Sequence, residues 1–306
     1  MKGIALAGHG GPEVLQWRED LPDPVAGPGE VVVRVAACGI NHLDLRLRAG
    51  MKGVTLSFPH VLGSDVCGTV EGTGERVMVF PILSRWGGYA EKVAVPRADC
   101  LPWPEGLAPP LAASFPLVFT TAHAMLHARG QVKAGETVLV LAASSGVGTA
   151  AVQIAKAAGA KVTAVVGNED KAFRVKALGA DSVIVRTKED FVAASGKDMD
   201  LVIDPVGGEV LAQALGTLRP GGRLVTCAVT AGPTATLDLR PFFMKRLSIL
   251  GSYLGSRSDL EAALALLAAG RVKPVVDTVF PLREAAEAHR VLERGLHFGK
   301  LVLLVS

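Results

Sequence analysis

The stretch TVLVLAASSGVGTAAVQIAKAAGAKVTAVV, residues 137–166, decides how this chain folds. Thr137–Ala142 is an unbroken apolar run, the pattern of a parallel strand buried on both faces. It leads into Ala143, Ser144, Ser145, Gly146, Val147 and Gly148, small residues that open a helical pattern over Gly146–Ala158, stopped at Gly159. Lys161–Val166 then reads as a second strand. Strand, tight turn, helix and strand make one βαβ unit, whose right-handed crossover sets the two strands parallel.

Outward from this unit the alternation continues. Glu169–Leu178 reads as a helix closed by Gly179, followed by strands at Ser182–Val185, Asp200–Asp204, Arg223–Val229 and Leu247–Leu254. Strands and helices at this spacing predict an α/β fold with a doubly wound parallel Rossmann sheet. Upstream the character differs. Residues 30–37 (EVVVRVAA) and 66–80 are β-branched runs broken by Gly, and Pro22, Pro24, Gly27, Pro28 and Gly29 punctuate the approach to them. The N-terminal third therefore reads as all-β and barrel-like. After Gly255, helical patterns at Leu260–Ala269 and Leu282–Glu293 and a strand at Lys300–Val305 no longer alternate, so they are expected to rejoin the first domain. The predicted division is a mostly β domain over 1–114, a Rossmann domain over 115–255, and a return to the first over 256–306.

Composition narrows the function. The 306 residues are 49% hydrophobic and 20% charged, an ordinary globular mixture, and the net charge of +3 is too small to point to nucleic acid or an anionic membrane. Aromatics are only 5% against 35 glycines, which favours close-packed layers over a stacking platform. Cys38, Cys67, Cys100 and Cys227 form no C-x-x-C pair, so reduced thiols and a cytoplasmic location are expected. The opening MKGIALAGHGG has no apolar stretch of signal-peptide length. The long uncharged runs 106–128 and 137–155 are cut by prolines and histidines and by Ser144-Ser145-Gly146, so no membrane span is expected.

The turn at 143–148 carries the chemistry. A helix N-terminus presents unpaired N–H groups, and small residues let a pyrophosphate approach them. Against G-x-G-x-x-G, Ala143 and Ser145 stand in the first two glycine positions and only Gly148 matches, so any strand-to-helix turn would fit the loop as well. The surrounding sheet argues for a nucleotide. An NAD site carries an acid at the tip of the second strand to meet the ribose hydroxyls. Here the tip is Gly167 and Asn168, and Glu169 and Asp170 fall where helix-capping carboxylates stand. Lys171 and Arg186 are the nearest cations, either partners for a 2′-phosphate or solvated surface charges.

Laid end to end, CGINHLDLRLRAG (38–50), HVLGSDVCGTV (60–70), AASSGVGTAAVQIAKAAGA (142–160), KALGAD (176–181), DPVGG (204–208), LRPGGRLV (218–225) and GLHFGKLVL (295–303) resemble the medium-chain dehydrogenase/reductase superfamily, and within it the zinc-free quinone oxidoreductase branch. The resemblance implies a GroES-like domain from both chain ends enclosing the Rossmann domain, with hydride transfer in the cleft between. It implies NADPH as cofactor, held by Ser144, Ser145, Gly146, Val147, Gly148, Asn168, Lys171, Arg186, Val206 and Lys300. Lys171 aligns with a lysine that this branch directs at the 2′-phosphate, and Arg186 with a tyrosine serving the same group. A homodimer through Leu247–Leu254, an apolar edge, is expected as well.

The same comparison says what chemistry is missing. The catalytic zinc ligands of related alcohol dehydrogenases appear here as Asn41, Ser64 and Leu117, which cannot replace thiolate and imidazole. His123 with His127, and Cys38, His42, His60 and Cys67, lack a further ligand at matching spacing, so no metal is expected. His123 is expected to line the cofactor cleft or pack beneath it. Without a metal the substrate must accept hydride readily, as quinones and α,β-unsaturated carbonyls do. Asn41 and Asp44 are the candidate catalytic residues. The Asn41 amide either donates to the developing oxyanion or holds loop 38–46, and Asp44 orders that loop. Enoyl reductases carry a Tyr where this chain has Met51, and some quinone reductases a pocket Tyr where it has Arg46. A short-chain dehydrogenase is excluded, since Tyr89 and Tyr253 are followed four residues on by Val93 and Arg257, not Lys. A protein that binds NADPH without turning it over is the remaining alternative.

Overall fold

β-branched and apolar runs do set the strands. The computed structural model describes residues 1–82 and 85–305, and its chain divides into two units, Met1–Leu117 with Pro274–Ser306, and Val118–Lys273. The first unit contains β1 (Gly3–Leu6), β2 (Leu15–Arg18), β3 (Glu30–Gly39), α1 (His42–Ala49), β4 (Asp65–Val70), β5 (Arg76–Val79), β6 (Lys92–Pro96), β7 (Cys100–Pro102) and α2 (Pro109–Ala113). Then come α3 (Pro116–His123), β8 (Thr137–Val140), α4 (Gly146–Ala157), β9 (Lys161–Val166), α5 (Glu169–Lys176), β10 (Ser182–Val185), α6 (Phe191–Ser195), β11 (Met199–Asp204), α7 (Gly208–Ala214), β12 (Leu218–Thr226), α8 (Leu239–Met244), β13 (Ser248–Gly251) and α9 (Arg257–Ala268). The chain ends on β14 (Val276–Pro281), α10 (Ala285–Arg294) and β15 (Lys300–Leu304).

In the first unit the sheet order is β14-β15-β3-β4-β5-β7, with β6 paired to β3 and a separate β1-β2 hairpin. β15 pairs antiparallel with β3, Val302 opposite Gly39 and Leu304 opposite Ala37, so the end of the chain becomes an interior strand. Val33, Val35, Val66, Val77, Leu301 and Leu303 are buried in its core. The all-β expectation for the N-terminal third needs correction at α1, whose buried residues are Asp44, Leu47 and Arg48. A helix that buries two charged residues offers no apolar stripe for periodicity to find.

In the second unit the order is β10-β9-β8-β11-β12-β13, every neighbouring pair parallel. β8 is central because Val138, Leu139 and Val140 are buried on both faces. It stops at Val140 rather than Ala142, where the backbone turns left-handed with φ +44°. The last strand is also shorter than Leu247–Leu254. Leu247 sinks into the core and Leu254 turns left-handed, leaving Ser248–Gly251 as the edge. The return to the first unit comes at Pro274, later than the expected 256. α9 stays with the parallel sheet, and Gln153 on α4 holds the chain after it by a pair of hydrogen bonds to Lys273, donating to its carbonyl at 3.0 Å and accepting its N–H at 2.9 Å. No helix among the described residues is long and apolar enough to cross a membrane.

Candidate active site

In the second unit the strand order reverses beside β8: β9 lies on one flank and β11 on the other. Ligands of open α/β sheets sit at the carboxyl ends of strands at such a switch point. Two loops meet there, since Ile203 of β11 pairs with Val140 of β8 and the Leu141 N–H donates to the Ile203 carbonyl at 3.0 Å. After β8, Ser145 caps α4 by accepting the Gly148 N–H at 3.0 Å. Gly148 is obligatory: a Cβ there would lie 2.2 Å from the Ala142 carbonyl oxygen and 2.7 Å from the Ala143 Cα. That backbone approach keeps the surface over Ser144, Ser145, Gly146 and Val147 low and the first helical N–H groups open, the cradle a pyrophosphate requires.

After β11, Asp204 is fully buried and accepts the N–H groups of Val206 (2.9 Å) and Gly207 (3.0 Å), fixing the DPVGG turn that carries Val206. Gly207, at φ +73°, has the Ala228 carbonyl oxygen 2.2 Å from where a Cβ would stand. Asp204 is a structural residue of this site that the sequence does not single out. A lone acid ending an apolar strand looks like any surface turn until its burial is seen.

At the tip of β9, Asn168 caps α5, its Oδ1 accepting the Lys171 N–H at 3.0 Å. Lys171 is buried in the first turn. The parallel register brings Arg186 to the same tip, its N–H donating to the Val166 carbonyl at 3.0 Å, with its side chain in a solvent-exposed position. Nothing lies within 4 Å of a Cβ built on Gly167. Glu169 is paired with Lys188, so the nearest acid is already met by a cation. The strand tip therefore has room and positive charge and no carboxylate of its own. His123 Nδ1 lies 2.8 Å from Asp259 Oδ1, and its ring 4.5 Å from that of His127.

The first unit holds the other predicted residues. Asn41 precedes α1, and its N–H donates to Asp44 Oδ2 at 2.7 Å. Its side-chain Nδ2 donates to Asp65 Oδ2 at 2.9 Å, and its Oδ1 accepts from Lys300 Nζ. Lysine can only donate and a carboxylate only accept, so the amide has one permitted orientation. Asp65 also receives the Leu117 N–H at 2.7 Å and pairs with Lys300 at 3.1 Å. The positions aligned with zinc ligands at Asn41 and Leu117 are thus joined through one buried carboxylate, with Ser64 beside it in sequence. Among the described residues no group of three or more His, Cys, Asp or Glu could hold a metal.

Lys300 belongs to the same buried network, its Nζ donating to the Ile40 carbonyl (2.6 Å), Asn41 Oδ1 and Asp65 Oδ2. Burial forces this, because an unpaired ammonium in the interior is costly and Asp65 is its counter-ion. Asp65 is the second residue missed from the sequence. Asp44 is wholly buried and accepts the Asn41 and Gly63 N–H groups at 2.7 and 3.3 Å; burial pushes it up to about 7 against those donors.

The description "Alcohol dehydrogenase GroES-like domain" matches residues 27–105, and "Zinc-binding dehydrogenase" matches 146–269. A quinone oxidoreductase of Mus musculus is 33% identical, covering 100% of this chain and 98% of its own. A quinone oxidoreductase from Thermus thermophilus, solved also as its NADPH complex, is 38% identical with a TM-score of 0.85, covering 99% of this chain and 100% of its own. A structure described as an NAD-dependent alcohol dehydrogenase is 38% identical with a TM-score of 0.94, covering 100% of both chains.

Proposed function

The chain belongs to the medium-chain dehydrogenase/reductase superfamily, on its quinone oxidoreductase branch, and on that premise we propose that this oxidoreductase is an NADPH-dependent, zinc-independent reductase of quinones or small α,β-unsaturated carbonyls. The observation that carries this reading is the β9 tip, with open space over Gly167, Arg186 beside it and no carboxylate of its own. Lys171 and Arg186 would meet the 2′-phosphate, and Ser144–Gly148 with Val206 the rest of the dinucleotide. Bound there, NADPH supplies a hydride.

The chain's own residues then stabilise and exclude. A quinone or enone gathers negative charge on an oxygen as it is reduced, and a preorganised donor lowers that barrier. Asn41 is such a donor. One N–H of its amide is held by Asp65; the other has only the Gly39 carbonyl at 3.5 Å, the outer limit of a hydrogen bond, and can pass to a substrate oxygen. Lys300 on Oδ1 polarises the amide and strengthens the remaining donor. Asp44 positions the loop by holding the Asn41 and Gly63 N–H groups, and water delivers the final proton. An alcohol would need a Lewis acid or a base to lose its proton, and Asn41, Ser64 and Leu117 supply neither. Four cysteines that form no disulfide fit a reducing cytoplasm.

The test is loss of reduced-nicotinamide absorbance with a simple para-quinone, beside NAD(P)+ reduction with ethanol-like alcohols, on protein whose metal content has been measured. Quinone turnover with well under one zinc per chain is expected. Alcohol turnover of comparable size would favour the activity named for the alcohol dehydrogenase neighbour. Tight NADPH binding with no turnover of any acceptor would favour a non-catalytic protein.

A further inference from the structure

The turn that follows β10 runs alongside the tip of β9 and is tied to it at three successive residues. The Arg186 N–H donates to the Val166 carbonyl at 3.0 Å, the Thr187 hydroxyl to the Gly167 carbonyl at 2.9 Å, and the Lys188 ammonium to the Glu169 carboxylate. The Lys188 N–H closes the turn on the Val185 carbonyl at 2.8 Å. Two of the three tied residues are cations, and the segment they flank is the one that holds Gly167. The proposed function uses Arg186 and leaves Lys188 without a task.

The pair that Lys188 makes is a weak one. Its side chain is 61% exposed and that of Glu169 71%, so the two charges meet in water. Such a pair contributes little, because solvent screens it and two long side chains must be held still. A phosphate monoester at pH 7 carries about −1.5 to −2 charges on three acceptor oxygens, more than the single charge of a carboxylate. Over Gly167 nothing stands within 4 Å of an added Cβ, so a phosphate has room there. An ammonium on a flexible stem can turn to it without any movement of the backbone. Glu169 acts in the opposite sense, as a like charge beside the phosphate. Of the other acids at this tip, Asp170 is exposed next to Glu169, and Glu189 folds back on its own turn to accept the Val185 N–H at 3.4 Å.

We infer that Lys188 is a further phosphate-binding cation, held by Glu169 until the cofactor arrives, and that this exchange of partners sets how strongly NADPH is preferred over NADH. The inference rests on the NADPH reading above and adds to it one cation and one opposing acid. A lysine that only shielded Glu169 would become dispensable once Glu169 is neutral; a lysine that binds the phosphate would not. That difference makes the two roles separable.

The test is fluorescence titration of NADPH and NADH against the full chain at one ionic strength, for wild type, Glu169→Gln, Lys188→Met and the double variant. Both side chains are largely in solvent, so all four proteins are expected to fold. Glu169→Gln should tighten NADPH about threefold, the scale of an exposed charge pair. Lys188→Met should weaken NADPH about tenfold or more, and should still do so by about tenfold in the Glu169→Gln background, the value of one charge-assisted bond. NADH should move by less than about twofold throughout, since it has no phosphate for either residue to meet. A Lys188→Met change without effect in the Glu169→Gln background would leave Lys188 as a shield and overturn the inference, as would equal losses for the two cofactors. A wild type that binds both cofactors equally would overturn the NADPH reading and this inference with it. A wild type that prefers NADPH while Lys188 proves dispensable would overturn this inference alone.

Discussion

Replacing Asp65 with Asn removes the counter-ion of a cation that has nowhere else to go. The Lys300–Asp65 pair is 3.1 Å apart, with side chains 5% and 0% exposed. At that distance the attraction is about 5 kcal/mol for an effective dielectric constant of about 20. Deleting one member of a buried pair costs roughly 3–5 kcal/mol, because the other charge is left uncompensated. An asparagine adds a further conflict. The carboxylate accepts from Leu117, Asn41 and Lys300 at once, whereas an amide has a single oxygen and must turn its nitrogen towards one of these donors. Asp65→Asn should therefore destabilise the first unit by about 3–5 kcal/mol, a large share of a typical domain's ~5–15 kcal/mol. The assay is favourable, since all three tryptophans, Trp17, Trp86 and Trp103, belong to that unit. Urea unfolding followed by tryptophan fluorescence reads it separately from the parallel sheet. Asp65→Asn with Lys300→Met removes both charges, and should cost less than the two single changes summed by about 1–3 kcal/mol. A single-variant loss below about 1 kcal/mol, the value of an exposed pair, or simple additivity would refute the reasoning.

Gly148→Ala should lower stability by about 1–3 kcal/mol and weaken NADPH by tenfold or more in fluorescence titration, because its Cβ meets backbone at 2.2 Å; Gly167→Ala, with nothing within 4 Å, should hold stability within about 0.5 kcal/mol. Lys171→Ala and Arg186→Ala should each weaken NADPH about tenfold and leave NADH nearly unchanged; equal losses for both cofactors would remove these cations from the phosphate site. His289 titrates at about 3 in the fold against an ordinary 6.5, so its contribution is complete above pH 6.5 and lost towards pH 3. His289→Gln should then escape acid destabilisation of up to ~1.4 kcal/mol per pH unit across that window, read as denaturant midpoints; parallel pH curves would refute it. β13 ends its sheet as a free edge, and Leu239, Phe243, Met244 and Tyr253 are large exposed apolar residues on either side of it in the chain. A homodimer is expected in solution scattering at micromolar concentration, and a monomeric mass would exclude it.

The parallel sheet was the legible half of the molecule. Strands buried on both faces read as continuous apolar runs, and the spans 161–166 and 182–185 are found at those limits. Edges and mixed faces were harder. β14, VDTVFP, alternates half-buried with exposed positions, so no side of it is apolar enough to stand out. α9 has an apolar pattern, but nothing in that pattern says which sheet it covers; the Gln153–Lys273 bonds do. At the site, loop 143–148 and the acid-free β9 tip could be read because small residues and missing charges are visible in one dimension. Asp65, Asp204 and the Lys300–Asp65 pair could not. Their meaning lies in burial and in partners far away in sequence, and a charged letter alone does not tell a solvated residue from the centre of a buried network.

β15 lies between β14 and β3, in the interior of its sheet, yet the ribosome makes it only after the whole parallel-sheet unit. Until it emerges, β3 has an unpaired flank and Asp65 and Asn41 lack the ammonium that holds them. The nascent N-terminal segment must therefore wait, open along one strand, while the later-made unit closes on contacts of its own. Pairing so distant in sequence is slow and aggregation-prone. Lys300 thus makes the Asn41 loop one of the last parts of the molecule to be completed, so a chain stalled before residue 300 can have its parallel-sheet unit closed while the Asn41 loop still lacks the cation that holds it.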